Sequence, residues 1–160
     1  MIGAPPGEEA AGAEALTPAG RATLVRMAYW FFVSDPESYH LDTLFAEKRT
    51  VWDGVHGAVA LKNLSRVKKG DAILGYHSAP LKAVYCEMKA VSDGYQKDTK
   101  EGPAWVCDVA PVRKLKDPVP LTALKTNPKL ANMTFVKIQR VACSPASEAE
   151  YKEILRMAGA

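Results

Sequence analysis

One apolar and aromatic segment constrains the fold of this 160-residue chain more than any other stretch of it. Residues 28–33 read Ala-Tyr-Trp-Phe-Phe-Val, and the turn-forming residues Ser34, Asp35 and Pro36 follow directly. A short apolar run that ends at turn residues is typical of a strand with both faces buried. The segment therefore predicts a strand that has no solvent-facing side.

The rest of the chain changes irregularly between strand patterns and helix patterns. Short apolar or alternating runs predict further strands over residues 72–77, 83–91, 104–112 and 135–141. Apolar residues at helical spacing predict short helices over residues 41–49, 58–67 and 121–125, and a terminal helix with Tyr151, Ile154, Leu155 and Ala158 on its apolar side. Ser147, with Glu150 three residues later, is a capping box for that last helix.

The connections complete this prediction. Residues 78–80 are consistent with a hairpin between two strands, and the polar, lysine-rich residues 92–102 predict an exposed loop. Several strands broken by short helices, without an internal repeat, favour an α+β domain built around a strongly bent sheet or small barrel.

Composition is that of a soluble globular protein, because 48% of the residues are hydrophobic and 24% are charged. Residues 1–28 are rich in Ala, Gly, Pro and Glu and contain no aromatic residue. Such a segment is expected to be mostly disordered, which leaves one ordered domain over residues 29–160. No apolar run approaches the roughly 20 residues of a membrane span. The first residues lack the pattern of a secretory signal, so we expect a cytoplasmic protein.

Charge and cysteine content narrow the function classes. A net charge of +3 permits nucleic-acid binding without requiring it. Cys86, Cys107 and Cys143 lie far apart, without a Cys-x-x-Cys pair or clustered histidines, so neither a zinc site nor another cofactor is expected. None of the three follows a Gly-rich turn or begins a helix, which predicts structural rather than nucleophilic thiols.

Three short blocks combine an aromatic ring with small polar residues. They are Tyr29-Trp30 continuing to Ser34, Trp52-Asp53-Gly54-Val55, and Tyr76-His77-Ser78. This combination suits a site that stacks a flat ring and hydrogen-bonds its edge. Trp52, beside a turn, is expected to form a pocket wall, the alternative being that it packs as a plug in one end of the barrel. For His77 the alternative is a structural histidine.

The order and spacing of these blocks resemble the EVE domain, a relative of the PUA fold and of the YTH readers of methylated adenine, over residues 28–158. The resemblance implies a PUA-like small bent β-barrel with flanking short helices. It also implies a non-catalytic module that captures a flipped, modified base of DNA or RNA. We expect such a module to act as a monomer, away from membranes.

The resemblance further implies a set of ligand-binding residues: Ser34, Trp52, Asp53, Gly54, Tyr76, His77, Ser78, Lys137 and Arg140. Trp52 would stack on the base, and Ser34 would read its edge together with the Tyr76-His77-Ser78 block. Lys137 and Arg140 would meet a phosphate or an exocyclic carbonyl.

Departures from the family pattern fall within this lining. Val33 stands where the family typically has lysine, and residues 56–61 are mostly small and apolar where the family has a polar, arginine-containing run. Lys137 replaces an arginine and Ile138 an amide. The scaffold is therefore expected to persist while the ligand differs or binds weakly.

The sequence leaves two other functions open. A small hydrolase or nuclease could use His77 with Ser78 or His56 with Asp53, although neighbours on one strand point to opposite faces. A divergent relative could instead bind a small metabolite or a protein partner. Lys62, Arg66 and Lys69 form a basic stripe, which is either a phosphate contact or an ordinary solvated helix face.

Overall fold

The structure is a computed structural model that describes residues 27–159. The predicted tail therefore lies almost entirely outside the described residues. The elements, in chain order, are β1 (Tyr29–Ser34), α1 (Leu41–Glu47), β2 (Thr50–Trp52), α2 (Ala58–Leu64), β3 (Ala72–His77), β4 (Ala83–Ala90), β5 (Tyr95–Thr99), β6 (Gly102–Pro120), α3 (Leu121–Thr126), a 3-10 turn (Pro128–Leu130), α4 (Thr134–Lys137), β7 (Cys143–Ala146) and α5 (Glu148–Met157).

All seven strands belong to one strongly curled sheet, which confirms the prediction of an α+β domain built around a strongly bent sheet. The strand order is β2-β6-β4-β3-β1-β7, and β5 pairs with the first part of β6. The β1–β3 pair is parallel, whereas the other pairs are antiparallel. Helix α2 contacts both β7, at one end of the sheet, and β6, which is second from the other end. The result is a half-barrel flanked by short helices.

Strand β1 confirms the prediction of a strand buried on both faces, because its alternate residues enter two hydrophobic cores. We call the core that contains Phe32, Leu44 and Leu64 the inner core; it is covered by α1 and α2. The outer core, which contains Phe31, Leu124 and Ile154, lies between the other face of the sheet and helices α3 and α5.

Most predicted elements are confirmed, and two are wrong. Residues 92–102 contain β5, whose five residues are all exposed and therefore show no apolar pattern. Residues 135–141 form the end of α4 and a turn rather than a strand. Phe135 is buried from α4 and Val141 is half-buried after it, so the apolar residues of this segment resemble a strand pattern without forming a strand. Strand β6 is also longer than predicted because it continues through Pro111 and Pro118 with shifts in register.

The capping box of α5 is present in both directions. The Glu150 backbone N–H donates to the Ser147 hydroxyl at 3.1 Å, and the Ser147 N–H donates to the Glu150 carboxylate at 2.9 Å. Within residues 27–159, no helix is both long enough and apolar enough to cross a membrane.

Candidate functional site

The predicted ligand-binding residues divide between the two faces of the sheet. Successive strand residues point to opposite faces, so His77 lies on the inner side near α1 while Tyr76 belongs to the outer core. Trp52 is part of the inner core. The structure therefore does not gather the predicted residues into one pocket.

Trp52 is the last residue of β2, and its side chain leaves 6% of its surface exposed. Its ring packs 5.4 Å from the ring of Phe32 and lies nearly perpendicular to the Tyr39 ring at 6.4 Å, measured between ring centroids. Asp53 and Gly54 follow in an exposed turn, where Gly54 adopts a φ of 71°. This placement is the one that the plug interpretation expects, and contact between Trp52 and a ligand stays a prediction.

His77 is fully buried and helps to hold helix α1. Its Nε2 accepts a hydrogen bond of 3.0 Å from the Leu41 N–H, whereas its Nδ1 has no partner among the described residues. Rings of His40 and Tyr85 pack 4.4 and 4.7 Å from the His77 ring. Burial, reinforced by repulsion from His40, lowers the pKa of His77 to about 4. His77 is thus a neutral ring that caps α1.

Ser34 also has a structural contact. Its hydroxyl donates a 2.6 Å hydrogen bond to the Tyr39 carbonyl, and its own carbonyl accepts from the Ser78 N–H at 2.9 Å. These bonds close the loop between β1 and α1 and tie it to the end of β3.

Neither base–nucleophile pair considered from the sequence is assembled. His77 and Ser78 point to opposite sides of β3, and His56 and Asp53, both exposed, share no hydrogen bond within the described part of the chain. Residues 27–159 also contain no group of three or more His, Cys, Asp or Glu side chains able to hold a metal ion.

A groove of about 330 Å³ opens on the outer face, where β1 and β3 end. Its lining comes from both strand ends, the turn after β3, helix α3 and the α4 segment: Val33, Tyr76, Ser78, Ala79, Lys82, Leu121, Lys125, Phe135 and Gln139. The Phe135 ring packs 4.4 Å from Phe31 and 4.7 Å from Tyr76, which fixes an aromatic floor below the groove.

Hydroxyl groups at the groove retain free hydrogen-bonding capacity. Neither the Tyr76 hydroxyl nor the Ser78 hydroxyl forms a hydrogen bond with another described residue. Neither oxygen is among the buried polar atoms that lack a partner. Burial raises the pKa of Tyr76, so this phenol stays protonated and able to donate or accept.

The charge at the groove is positive. Lys82 and Lys125 are exposed and form no ion pair with another residue in the 27–159 range, and no acidic side chain lines the groove. Lys137 and Arg140, both exposed, lie two residues before and one after Gln139. An anionic ligand at the opening of the groove therefore lies near positively charged side chains and near no carboxylate.

A second cavity, of about 520 Å³, lies beside α5. Its lining is Lys129, Ala149, Lys152, Glu153 and Arg156, without an aromatic residue. The Glu153 carboxylate is already bound by Arg156 and by the Asn127 amide, so this cavity offers less to a ring-shaped ligand.

Sequence reasoning identified Tyr76 and Ser78 at the groove but missed Val33, Lys82, Leu121, Lys125, Phe135 and Gln139. Single exposed lysines carry no signal in one sequence. Phe135 and Gln139 were placed in a strand; in the structure Phe135 lies in α4 and Gln139 two residues after its end, and both line this groove.

Comparisons with known proteins agree on the fold. A family model described as EVE domain matches residues 28–157. A hypothetical protein from Leishmania major is 29% identical, with 84% of this chain and 96% of that chain covered and a TM-score of 0.78. Human THYN1, solved in complex with 5-methylcytosine-containing DNA, is 25% identical, with 83% and 98% covered and a TM-score of 0.74.

The YTH domain of Zygosaccharomyces rouxii MRB1, solved with N6-methyladenosine RNA, shares the fold at 16% identity and a TM-score of 0.53, with 84% of this chain and 90% of that chain covered. No curated protein matches the chain.

Proposed function

This chain belongs to the EVE domain family, and from that premise we propose that it is a nucleic-acid-binding module that receives one modified base in the groove beside Tyr76. The observation that carries the proposal is the similarity to human THYN1, which extends over 83% of this chain and 98% of THYN1, a protein solved with 5-methylcytosine-containing DNA.

Groove chemistry supports this function. A volume of about 330 Å³ is at the small end of ligand sites, as a single base with its sugar requires. Val33 and Leu121 supply apolar surface over the aromatic floor, on which a flat ring gains contact area. The free hydroxyls of Tyr76 and Ser78 are suited to hydrogen-bond the edge of that ring.

Phosphates on either side of the inserted base would meet the cations at the mouth. Lys82 and Lys125 line the groove, and Lys137 and Arg140 flank it along the chain. Each phosphate contact releases counterions and makes the affinity depend on salt. A base must leave its stack to enter such a groove, at a cost of a few kcal/mol that is smallest in a single strand. We therefore propose that single-stranded or locally opened nucleic acid binds best.

The test is a titration of fluorophore-labelled single-stranded oligonucleotides, with and without one 5-methylcytosine, at several salt concentrations. The Lys82→Gln/Lys125→Gln variant is expected to bind about tenfold more weakly and to reduce the slope of log affinity against log salt by about 1.4, which is two single-strand contacts. The control is Lys97→Gln/Lys100→Gln in and beside β5, outside the groove lining; it should change neither quantity. Absence of saturable binding at low salt would reject the proposed function.

We propose that the module is non-catalytic, because His77 and Ser78 are held on opposite sides of β3 and the His77 ring is buried. Turnover of nucleotide or ester substrates that His77→Gln removes, while the fold is retained, would overturn this.

A further inference from the structure

The side chain of Gln139 is held in one orientation at the groove. Its Nε2 donates hydrogen bonds to two backbone carbonyls of α4, those of Phe135 at 2.8 Å and Val136 at 2.5 Å. These carbonyls lie in the last turn of a helix, where no further backbone N–H reaches them. Because a carbonyl only accepts, the nitrogen rather than the oxygen of the amide must point at them.

This orientation decides what Gln139 can offer to a ligand. The amide nitrogen is turned toward these two carbonyls, so its hydrogens are engaged by α4. What remains is Oε1, which only accepts and has no hydrogen-bond partner among the described residues. The hydroxyls of Tyr76 and Ser78 rotate to donate or to accept, so they do not distinguish a donor from an acceptor on a base edge. Gln139 does.

We infer that Gln139 makes this groove selective for a base with an exocyclic amino group, cytosine or adenine, over the base with a carbonyl oxygen in its place. The inference rests on the proposed function, since it assumes that a base occupies the groove. An amino N–H would donate to Oε1, whereas a carbonyl oxygen would face it as a second acceptor. The carbonyl bases do carry a donor, the ring N–H beside the carbonyl, but placing that N–H on Oε1 shifts the base and brings the neighbouring carbonyl oxygen toward the same acceptor.

Two pairs of bases make this exchange with the least other change. 5-Methylcytosine and thymine share the methyl group and differ in the amino or carbonyl group at C4; adenine and hypoxanthine differ in the same way at C6. In each pair the ring nitrogen beside that group also changes from an acceptor to an N–H donor. Each is placed at one position of an otherwise identical single-stranded oligonucleotide, and its dissociation constant is measured. The wild-type protein is expected to prefer the amino member of the pair it accepts by about tenfold, or about 1.4 kcal/mol.

Two variants test the origin of this preference. Gln139→Met removes the acceptor and should make both members of a pair bind equally. Gln139→Arg keeps donors for the two α4 carbonyls but presents N–H groups to the groove, so it should reverse the preference toward the carbonyl member. Gln96→Met, on the exposed strand β5, is the matched control and should leave the preference unchanged.

The outcomes are distinct. Equal binding within both pairs by the wild-type protein, or a preference that survives in both Gln139 variants, would overturn this inference while leaving the proposed function standing. No binding of any of the four oligonucleotides would overturn the proposed function and the inference with it. Because the ratio within a pair is the readout, a general loss of affinity from a loosened α4 does not imitate the result.

Discussion

At the scale of single residues, the buried polar groups have clear physical roles. His77 combines a hydrogen bond to the Leu41 N–H with an unpartnered Nδ1, and its pKa of about 4 lies below the ordinary value of 6.5. His40 and Tyr85 pack against the ring, and Asp42, which accepts hydrogen bonds from Tyr85 and Lys114, lies next to it. Stability should therefore respond to mild acid.

The unfolded chain takes up a proton on His77 as the pH falls through 6.5, whereas the folded protein resists protonation until about pH 4. Folding free energy is thus lost between these values, by up to about 3 kcal/mol. Urea unfolding at pH 7 and pH 4.5 should show this loss in the wild type and in the exposed-site control His56→Gln. His77→Gln should show much less of it, and an equal loss in all three proteins would contradict this assignment.

Trp52 gives a second prediction at this scale. Since its ring is buried against Phe32 and Tyr39, Trp52→Ala should lower the free energy of unfolding by about 3–5 kcal/mol. Trp52→Phe should cost less and leave the fold intact for binding assays. Retention of wild-type stability in Trp52→Ala would show that the ring contributes little packing, and loss of binding in a folded Trp52→Phe would assign it a ligand contact.

At the scale of elements, α5 closes the outer core and is tied down at two points. Its capping box fixes the first turn, and the Tyr151 hydroxyl donates a 2.6 Å hydrogen bond to Glu87 of β4, which Arg113 of β6 also contacts. Burial chiefly, with the nearby Glu87 carboxylate, raises the pKa of Tyr151, so the phenol remains a donor.

Ser147→Ala removes the side chain that caps α5 and should lower the free energy of unfolding by about 1 kcal/mol. Ser38→Ala, at an exposed serine with only a 3.4 Å contact to Asp35, is the matched control and should change it little. Chemical denaturation of the two variants beside the wild type makes the comparison. Equal stability of all three would mean that the capping box contributes little and that packing and the Tyr151–Glu87 hydrogen bond hold α5.

At the scale of the whole molecule, sequence patterns predicted the elements better than their assembly. Strand β1 and the capping box of α5 were recognisable because burial on both faces and a Ser-x-x-Glu spacing are local signals. The exposed strand β5 had no apolar pattern, and α4 is a single turn whose buried Phe135 suggested a strand.

The candidate site was less predictable for a topological reason. Tyr76 and Ser78 were among the predicted ligand-binding residues. The face of β3 that carries the ligand could not be predicted, because it depends on which helices cover each side of the sheet. Gln139 is oriented at the groove by hydrogen bonds to two backbone carbonyls, and these carbonyls face its side chain only once α4 has formed. Single-sequence reasoning had no access to that arrangement.

The pairing of β1 determines when this strand can complete its hydrogen bonds during translation. Trp30 lies opposite Ile73 on one side and Pro145 on the other, so this strand pairs with one segment about 43 residues later and with another about 115 residues later. During translation, β3 emerges from the ribosome long before β7. One edge of β1 therefore stays without its native neighbour until residues 143–146 have emerged, and an unpaired apolar edge attracts other strands. Nascent chains stalled before residue 143 should consequently be the form of this protein most in need of a chaperone.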